Sequence, residues 1–501
     1  MRLSILVIAL AASGSALAEV APATARGLDV RDLVMFDRVS DPRISPDGRT
    51  VAFQVRETDL EANKGVNGIW VRSLAGNAGP KRLTTKGTSS ATPRWSHDGR
   101  SIYFLSARGG SNQVWRVDLS GGDARQVTDY PLDVGSFAVS PTGRQLALSL
   151  EVFPDCADIA CTKARLDEKG KAPGSGMLFE DLFIRHWDTW KNGTRSQLFV
   201  ADLDASGKAE AKPAWVSRGI DGDVPSKPFG DDADYAFSPD GKTLVFAARI
   251  AGKTEPWSTN FDLWAVPADG RSAPRNLTDA NEATDTGPVF SADGRTLYYR
   301  AMKRPGFEAD RYAIHAMDFA SGRTRELATA WDRSAESITP SPDGRTLYVH
   351  ANDLGQTRLF ALDPASGNAR VVAQGGTVSA YDVGDDEIVF ARDNLKSPAQ
   401  LFRVDLSGAN ERRLTDFNAQ RLAAIRFGDY EQFKFEGAGG DTVHGYVVKP
   451  AGFVAGRKYP VAFIIHGGPQ GSMGDNFHYR WNPQTYAGRG YAAVFIDFHG
   501  S

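Results

Sequence analysis

Two cysteines in 501 residues exclude a disulfide-built scaffold and leave no cysteine cluster for a zinc site. Histidine is also scarce, at eight residues, and no His-Glu-x-x-His pair occurs. That removes the metallopeptidase signature. An excess of one charge is missing as well: 58 Lys and Arg face 61 Asp and Glu, for a formal charge of −3. A basic nucleic-acid surface is therefore not expected. There is no Walker loop, and the Gly437-Ala438-Gly439 pair lacks the third glycine of a dinucleotide fingerprint. No cofactor and no metal are expected.

Long apolar runs are also absent beyond the first residues. Arg2 supplies a positive start, Leu3 to Ala12 is almost wholly apolar, and Ala16-Leu17-Ala18 has the small-x-small form of a signal-peptidase site. The run is shorter than the about 20 residues that span a bilayer, which is the alternative use of such a segment. Residues 1–18 are expected to be a signal peptide cleaved after Ala18. The mature protein is then periplasmic or secreted and free of the membrane. Cys156 and Cys161 close a short loop, and an exported protein sits where disulfides persist. A local bridge between them is expected, with two free thiols as the alternative.

What is present in abundance is a repeat. Ser45-Pro46-Asp47-Gly48 precedes the strand pattern Val51-Ala52-Phe53. The turn returns at Ser96, Ser140, Ser238, Ser291 and Ser341, and in worn form at Gly384-Asp385-Asp386-Glu387. Proline presets the first central turn position, and glycine accepts the positive φ that follows. A second mark alternates with the first: Ile69-Trp70-Val71, Val114-Trp115, Leu198-Phe199, Leu263-Trp264, Ile314-His315, Leu359-Phe360 and Leu401-Phe402. The turns recur every 43 to 53 residues, with one interval of 98 that holds a single second mark. That interval is one unit carrying an insertion, residues 151–195. Units of this length with several strands each predict a β-propeller, here of seven blades over residues 19–425. An elongated solenoid or two sandwiches is the alternative.

The insertion holds both cysteines, a polar stretch from Lys163 to Ser175, and an aromatic, charged run from Phe179 to Trp190. Long insertions in regular repeats are often functional. The plainer reading is a cap that packs its aromatics on the blade rim.

The pattern changes near residue 425. A hairpin around Gly437–Asp441 leads to the unbroken apolar run Val461-Ala462-Phe463-Ile464-Ile465, which reads as a strand buried on both faces. His466-Gly467-Gly468-Pro469 follows at once. A segment with helical potential (Tyr479 to Arg489) then leads to Ala492–Ile496 and to Asp497-Phe498-His499-Gly500-Ser501. Strand, loop, helix and strand in this order predict the start of an α/β domain, residues 426–501. The fold class is thus mostly β, a seven-bladed propeller followed by the N-terminal part of an α/β-hydrolase domain.

A propeller rich in Ser-Pro-Asp-Gly, then Tyr459-Pro460-Val461, His466-Gly467-Gly468-Pro469-Gln470 and Phe498-His499-Gly500-Ser501, resembles the prolyl oligopeptidase family of serine peptidases. Asp32-Leu33-Val34, Arg38-Val39-Ser40-Asp41-Pro42, Arg185-His186-Trp187-Asp188 and Tyr479-Arg480-Trp481-Asn482 draw the likeness toward its dipeptidyl-peptidase 5-type and acylaminoacyl-peptidase branch. The resemblance implies an acyl-enzyme mechanism on short peptides, with an oxyanion loop at His466, Gly467 and Gly468. It also implies that a propeller insertion anchors the substrate amine, which assigns Glu180, Asp181 and Asp188 as candidate anchors and Arg185 and His186 as their supports. Release of dipeptides and release of acylated residues both stay open, as does oligomerisation. The family nucleophile sits in Gly-x-Ser-x-Gly, and none occurs here; Gln470-Gly471-Ser472-Met473-Gly474 has glutamine at its first position. On this likeness the catalytic Ser, Asp and His are expected beyond Ser501, in roughly one further domain's length. A non-enzymatic binding propeller, like those of the Tol system, is the second reading; it leaves Val443 to Ser501 without a use.

Overall fold

The computed structural model describes residues 25–468 and 470–501. The expected signal peptide, residues 1–18, lies outside them. Each serine turn is built alike. Ser45 Oγ donates to Asp47 Oδ1 at 2.6 Å and accepts from the Thr50 N–H at 3.0 Å. Gly48, at φ 68°, donates its N–H to the Ser45 carbonyl. A side chain is disfavoured in that left-handed conformation. The same serine–aspartate bond recurs at Ser96, Ser238, Ser291 and Ser341. In the third repeat Thr142 takes the aspartate's place, its hydroxyl 3.1 Å from Ser140 Oγ.

These turns join the first two strands of seven four-stranded antiparallel units, over residues 38–82, 91–126, 134–215, 235–276, 285–327, 339–373 and 377–413; the first five are separate sheets, and the last two are joined into one eight-stranded sheet by a single parallel pair, Thr357 with Thr377. Apolar clusters lock each sheet onto the next, for example Ile69 and Val71 with Ile102 and Phe104. The last sheet packs on the first, with Val389 and Leu401 against Val51 and Phe53. The sheets therefore close into a ring, consistent with a β-propeller. Polar contacts help: the Ile44 N–H donates to Asp382 at 2.6 Å. Arg94 reaches Asp41 at 2.9 Å and Asp232 at 2.7 Å, tying the first and second sheets to the helical turn before the fourth.

The insertion leaves the third sheet between its second and third strands. Part of its polar stretch is a helix, Ile159–Gly170, whose first turn is capped by Asp158 accepting from the Cys161 N–H at 2.9 Å. A disulfide joins Cys156 to Cys161, with 5.6 Å between the Cα atoms.

Residues 26–36 differ from the sequence assignment of 19–425 to the ring. The first sheet begins at Arg38. Leu28, Leu33 and Phe36 pack instead with Ile425 and Phe477, and Arg26–Gly27 pairs in parallel with Ile425–Arg426. Gly27 is needed there, because a Cβ would stand 2.4 Å from the Gly488 backbone.

The C-terminal part is one sheet with the spatial order Tyr430–Glu436, Thr442–Val448, Ala492–Asp497, Val461–Ile464. The last two strands are parallel. Val461–Ile464 is not buried on both faces as its composition predicts: Val461, Phe463 and the following Ile465 are 62, 54 and 69% exposed. It is an edge strand with a single neighbour. The helix expected over Tyr479–Arg489 is shorter, Pro483–Gly488. Asn482 caps it by accepting from the Gln484 N–H, and Pro483 presets its first turn. The residues before it are held in a turn by His478, whose Nδ1 accepts from the Arg480 and Trp481 N–H groups. Among the described residues no helix is long and apolar enough to cross a membrane.

Candidate active site

Parallel pairing of Val461–Ile464 with Ala492–Asp497 brings the carboxyl ends of both strands to one edge. Two loops leave there and meet. The His466 ring stacks on Phe498 with 4.5 Å between centroids, and its Nε2 lies 2.8 Å from Ser501 Oγ. Ser472 Oγ donates to Asp497 at 2.7 Å. Burial pushes the Asp497 carboxyl up, against the opposing pull of Ser472 and His466. The His466–Ser501 contact is not a nucleophile pair. His466 Nδ1 faces the Gly467 carbonyl at 2.7 Å, so no carboxylate backs the imidazole.

The two glycines of this loop do different work. Gly468 has φ 129°, and a Cβ there would stand 2.6 Å from the Gln470 carbonyl oxygen. It shapes the loop. Gly467 opens onto free space, with nothing within 4 Å of a Cβ. A substrate carbonyl can approach backbone N–H groups from that side.

Downstream, the chain crosses back to the ring. The Asp475 N–H donates to the Gly355 carbonyl at 2.6 Å, and its carboxylate accepts from the Leu395 N–H at 2.9 Å and the Tyr430 hydroxyl at 3.1 Å. The Phe477 N–H donates to Asp393 at 2.7 Å. Burial, reinforced by Asp475, pushes Asp393 up to about 7. Gly355 and Leu395 belong to the hairpins joining the second and third strands of the sixth and seventh sheets. The insertion occupies the same hairpin position in the third sheet. Because every sheet repeats one strand order, these hairpins share a face of the ring.

On that face the insertion borders a cavity of about 1070 Å³ lined by Glu180, Asp181, Lys191, Arg195, Lys253 and Glu255. Arg195 grips Glu255 through two bonds of 3.0 Å, and Lys191 lies 3.2 Å from it. Burial alone would raise Glu255, but Arg195 and Lys191 hold its carboxyl below the usual range. Asp181 pairs with Lys253 at 3.2 Å.

Residues 33–159 match the TolB beta propeller domain family. Dipeptidyl-peptidase 5 of Trichophyton equinum is 31% identical over 94% of this chain and 67% of its own length. The chain belongs to the prolyl oligopeptidase family. It spans about two thirds of the length of such relatives. The acylaminoacyl peptidase of Pyrococcus horikoshii shares its fold, with a TM-score of 0.72 at 20% identity over 94% of this chain and 66% of that one. The β-propeller domain of the Trilobed protease from Pyrococcus furiosus aligns with 76% of this chain and 97% of its own, with a TM-score of 0.50 at 17% identity.

Within this family member the predicted residues separate into two groups. Glu180 and Asp181 line the cavity. Arg185, His186 and Asp188, assigned from sequence to the same amine site, sit outside it on a small hairpin, Arg185–His186 paired with Thr189–Trp190. Arg185 donates to the Trp187 carbonyl there. Of the aromatics of this run, Trp187 and Trp190 are exposed, while Phe179 and Phe183 are half-buried. Sequence reasoning misses Lys191, Arg195 and Glu255, which come from separate segments and form no local motif. Among the described residues no group of three or more His, Cys, Asp or Glu is placed to hold a metal.

Proposed function

We propose that these residues form the propeller and the opening of the α/β-hydrolase unit of an exported serine peptidase that releases N-terminal dipeptides from short peptides. One observation carries this reading: a His-Gly-Gly loop and the Phe498–Ser501 loop meet at the carboxyl ends of adjacent parallel strands. In α/β-hydrolases that first loop supplies an oxyanion donor. The serine attacks the scissile carbonyl while histidine takes its proton. N–H groups at Gly467 or Gly468 hold the resulting oxyanion, and collapse yields an acyl-enzyme and a free amine. Water then releases the dipeptide. The serine, aspartate and histidine are assigned to sequence outside these 501 residues. Two facts support this: no Gly-x-Ser-x-Gly occurs here, and relatives are longer. The uncovered apolar face of Val461–Ile465 fits the same view. Export rests on the first 18 residues, and the Cys156–Cys161 bridge suits an oxidising compartment. Glu180, with Asp181 beside it, anchors the substrate ammonium.

The test uses full-length enzyme. Gly467→Val leaves the loop's geometry intact and fills the carbonyl's approach; it should cost about 3 kcal/mol in the barrier, a hundredfold or more in kcat. Unchanged turnover in the folded variant refutes the oxyanion assignment. Glu180→Gln should lower kcat/KM on a free-amine dipeptide substrate and spare the acetylated one. Preference of the wild type for the acetylated substrate would instead make it an acylaminoacyl-peptidase.

A further inference from the structure

The loop that carries His466-Gly467-Gly468 has little to hold it from within. Gly468 and Gly471 stand at φ 129° and 137°, and nothing lies within 4 Å of a Cβ at Gly467 or Gly471. Its hold comes from outside, at its two ends, and both pins are consecutive residues of one neighbouring strand end. At the entry the His466 ring stacks on Phe498 with 4.5 Å between centroids. At the exit Ser472 Oγ donates to Asp497 Oδ2 at 2.7 Å, and the Met473 N–H turns toward the same carboxylate. That is the length of an O–H bond to a charged acceptor, one of the stronger kinds. Asp497 is half-buried and ends a strand paired on both edges, in parallel with Val461–Ile464 and antiparallel with Thr442–Val448. The ionisable groups that face it are His466 and His444, the latter directly opposite it in the ladder. Just beyond Met473 the chain leaves for the ring, where the Asp475 N–H donates to the Gly355 carbonyl at 2.6 Å.

We propose that Asp497 is a positioning residue for the oxyanion loop: through Ser472 it fixes the far end of the loop against the strand it springs from, so that the N–H groups at Gly467 and Gly468 point to one place. The inference rests on the peptidase reading for the use of the loop, and adds to it the group that sets the loop's geometry. The physical need is specific. Glycine gives the backbone room for its turns and leaves it many other conformations. An oxyanion donor is effective because it is already in place when charge develops. A displacement of about 1 Å costs on the order of a hundredfold in rate. The freedom that the glycines bring must therefore be removed by a rigid neighbour, and Asp497 reaches the loop from the sheet itself, not from the ring.

The experiment uses full-length enzyme, with kcat expressed per active site titrated to completion with a fluorophosphonate. Asp497→Ala should lower kcat at least about tenfold and leave KM within about twofold, because the loop meets the substrate oxygen chiefly in the transition state. Ser472→Ala removes the other half of the bond and should do the same. The double variant should be no worse than either single one, since both act through one contact. Asp497→Asn keeps an acceptor oxygen for Ser472 and should recover most of the loss. A peptide aldehyde, whose adduct with the serine places an oxyanion against the loop, should bind Asp497→Ala at least about tenfold more weakly, while the product dipeptide binds as it does to wild type. Unchanged kcat in both single variants, additive losses in the double variant, or equal weakening of aldehyde and dipeptide overturns the proposal. If Gly467→Val is inactive while Asp497→Ala and Ser472→Ala turn over normally, this inference fails alone. A wild type that cleaves no peptide and forms no aldehyde adduct sinks the peptidase reading, and this inference with it.

Discussion

Asp393 makes the junction between ring and C-terminal sheet sensitive to pH. Its carboxyl lies under the loop at Asp475–Phe477 and accepts the Phe477 N–H; Asp475 and the Tyr479 hydroxyl face it. Burial and the neighbouring Asp475 push it up to about 7, from about 3.9 in an unfolded chain. The folded state therefore holds a proton that the unfolded state has released. Stability falls as pH rises from about 4 to about 7 and is level above that. A shift of about 3 units sets a ceiling of about 4 kcal/mol. The carboxyl keeps some solvent contact, so about 2 kcal/mol is the working figure. Asp475 is raised by burial in the same direction. Asp393→Asn keeps the acceptor oxygen for Phe477 and cannot ionise. Thermal melts followed by circular dichroism between pH 4 and 8.5 should show no gap between variant and wild type at pH 4. The gap should widen to about 2–4 °C by pH 7, given about 2 °C or less per kcal/mol at this size, and stay constant above. A gap that is the same at every pH, or that narrows as pH rises, refutes the argument.

Arg94→Ala leaves Asp41 and Asp232 without their shared cation and should cost about 3–5 kcal/mol in urea unfolding; adding Asp232→Asn should recover part of it. A loss under about 1 kcal/mol would mean the ring closes without this clamp. Replacing Cys156 and Cys161 by serine removes about 2 kcal/mol of loop constraint. Hydrogen exchange should speed up across 156–171 alone, and loss of protection across the seven sheets as well would show that the bridge supports more than its own loop.

The ring is legible in the sequence where its chemistry is local. Ser45, Asp47 and Gly48 settle a turn among themselves, and the strands behind it carry their own period. Ring closure is not written locally: Ile44 finds Asp382 at a separation of 338 residues. The helix Ile159–Gly170 escapes a periodicity reading because most of it is polar. Its hold is a disulfide at one end and Arg165 and Lys169 laid over Phe153, at 4.6 and 4.8 Å from the ring. The run Val461–Ile465 misleads in the other direction, since composition reports the cover a strand is suited to and not the neighbour it has. The same limit governs the site. His466-Gly467-Gly468 is recognisable from residue types, but its meeting with Phe498–Ser501 follows from parallel pairing, which no residue announces. Glu255 is less visible still, because Lys191, Arg195 and Arg249 reach it from other segments. What connects local pattern to site is the repeat itself. Once each unit has the same strand order, the hairpins at 152–195, 353–356 and 394–397 must fall on one face. The position of the insertion within its repeat therefore already places it on the side where the C-terminal sheet docks.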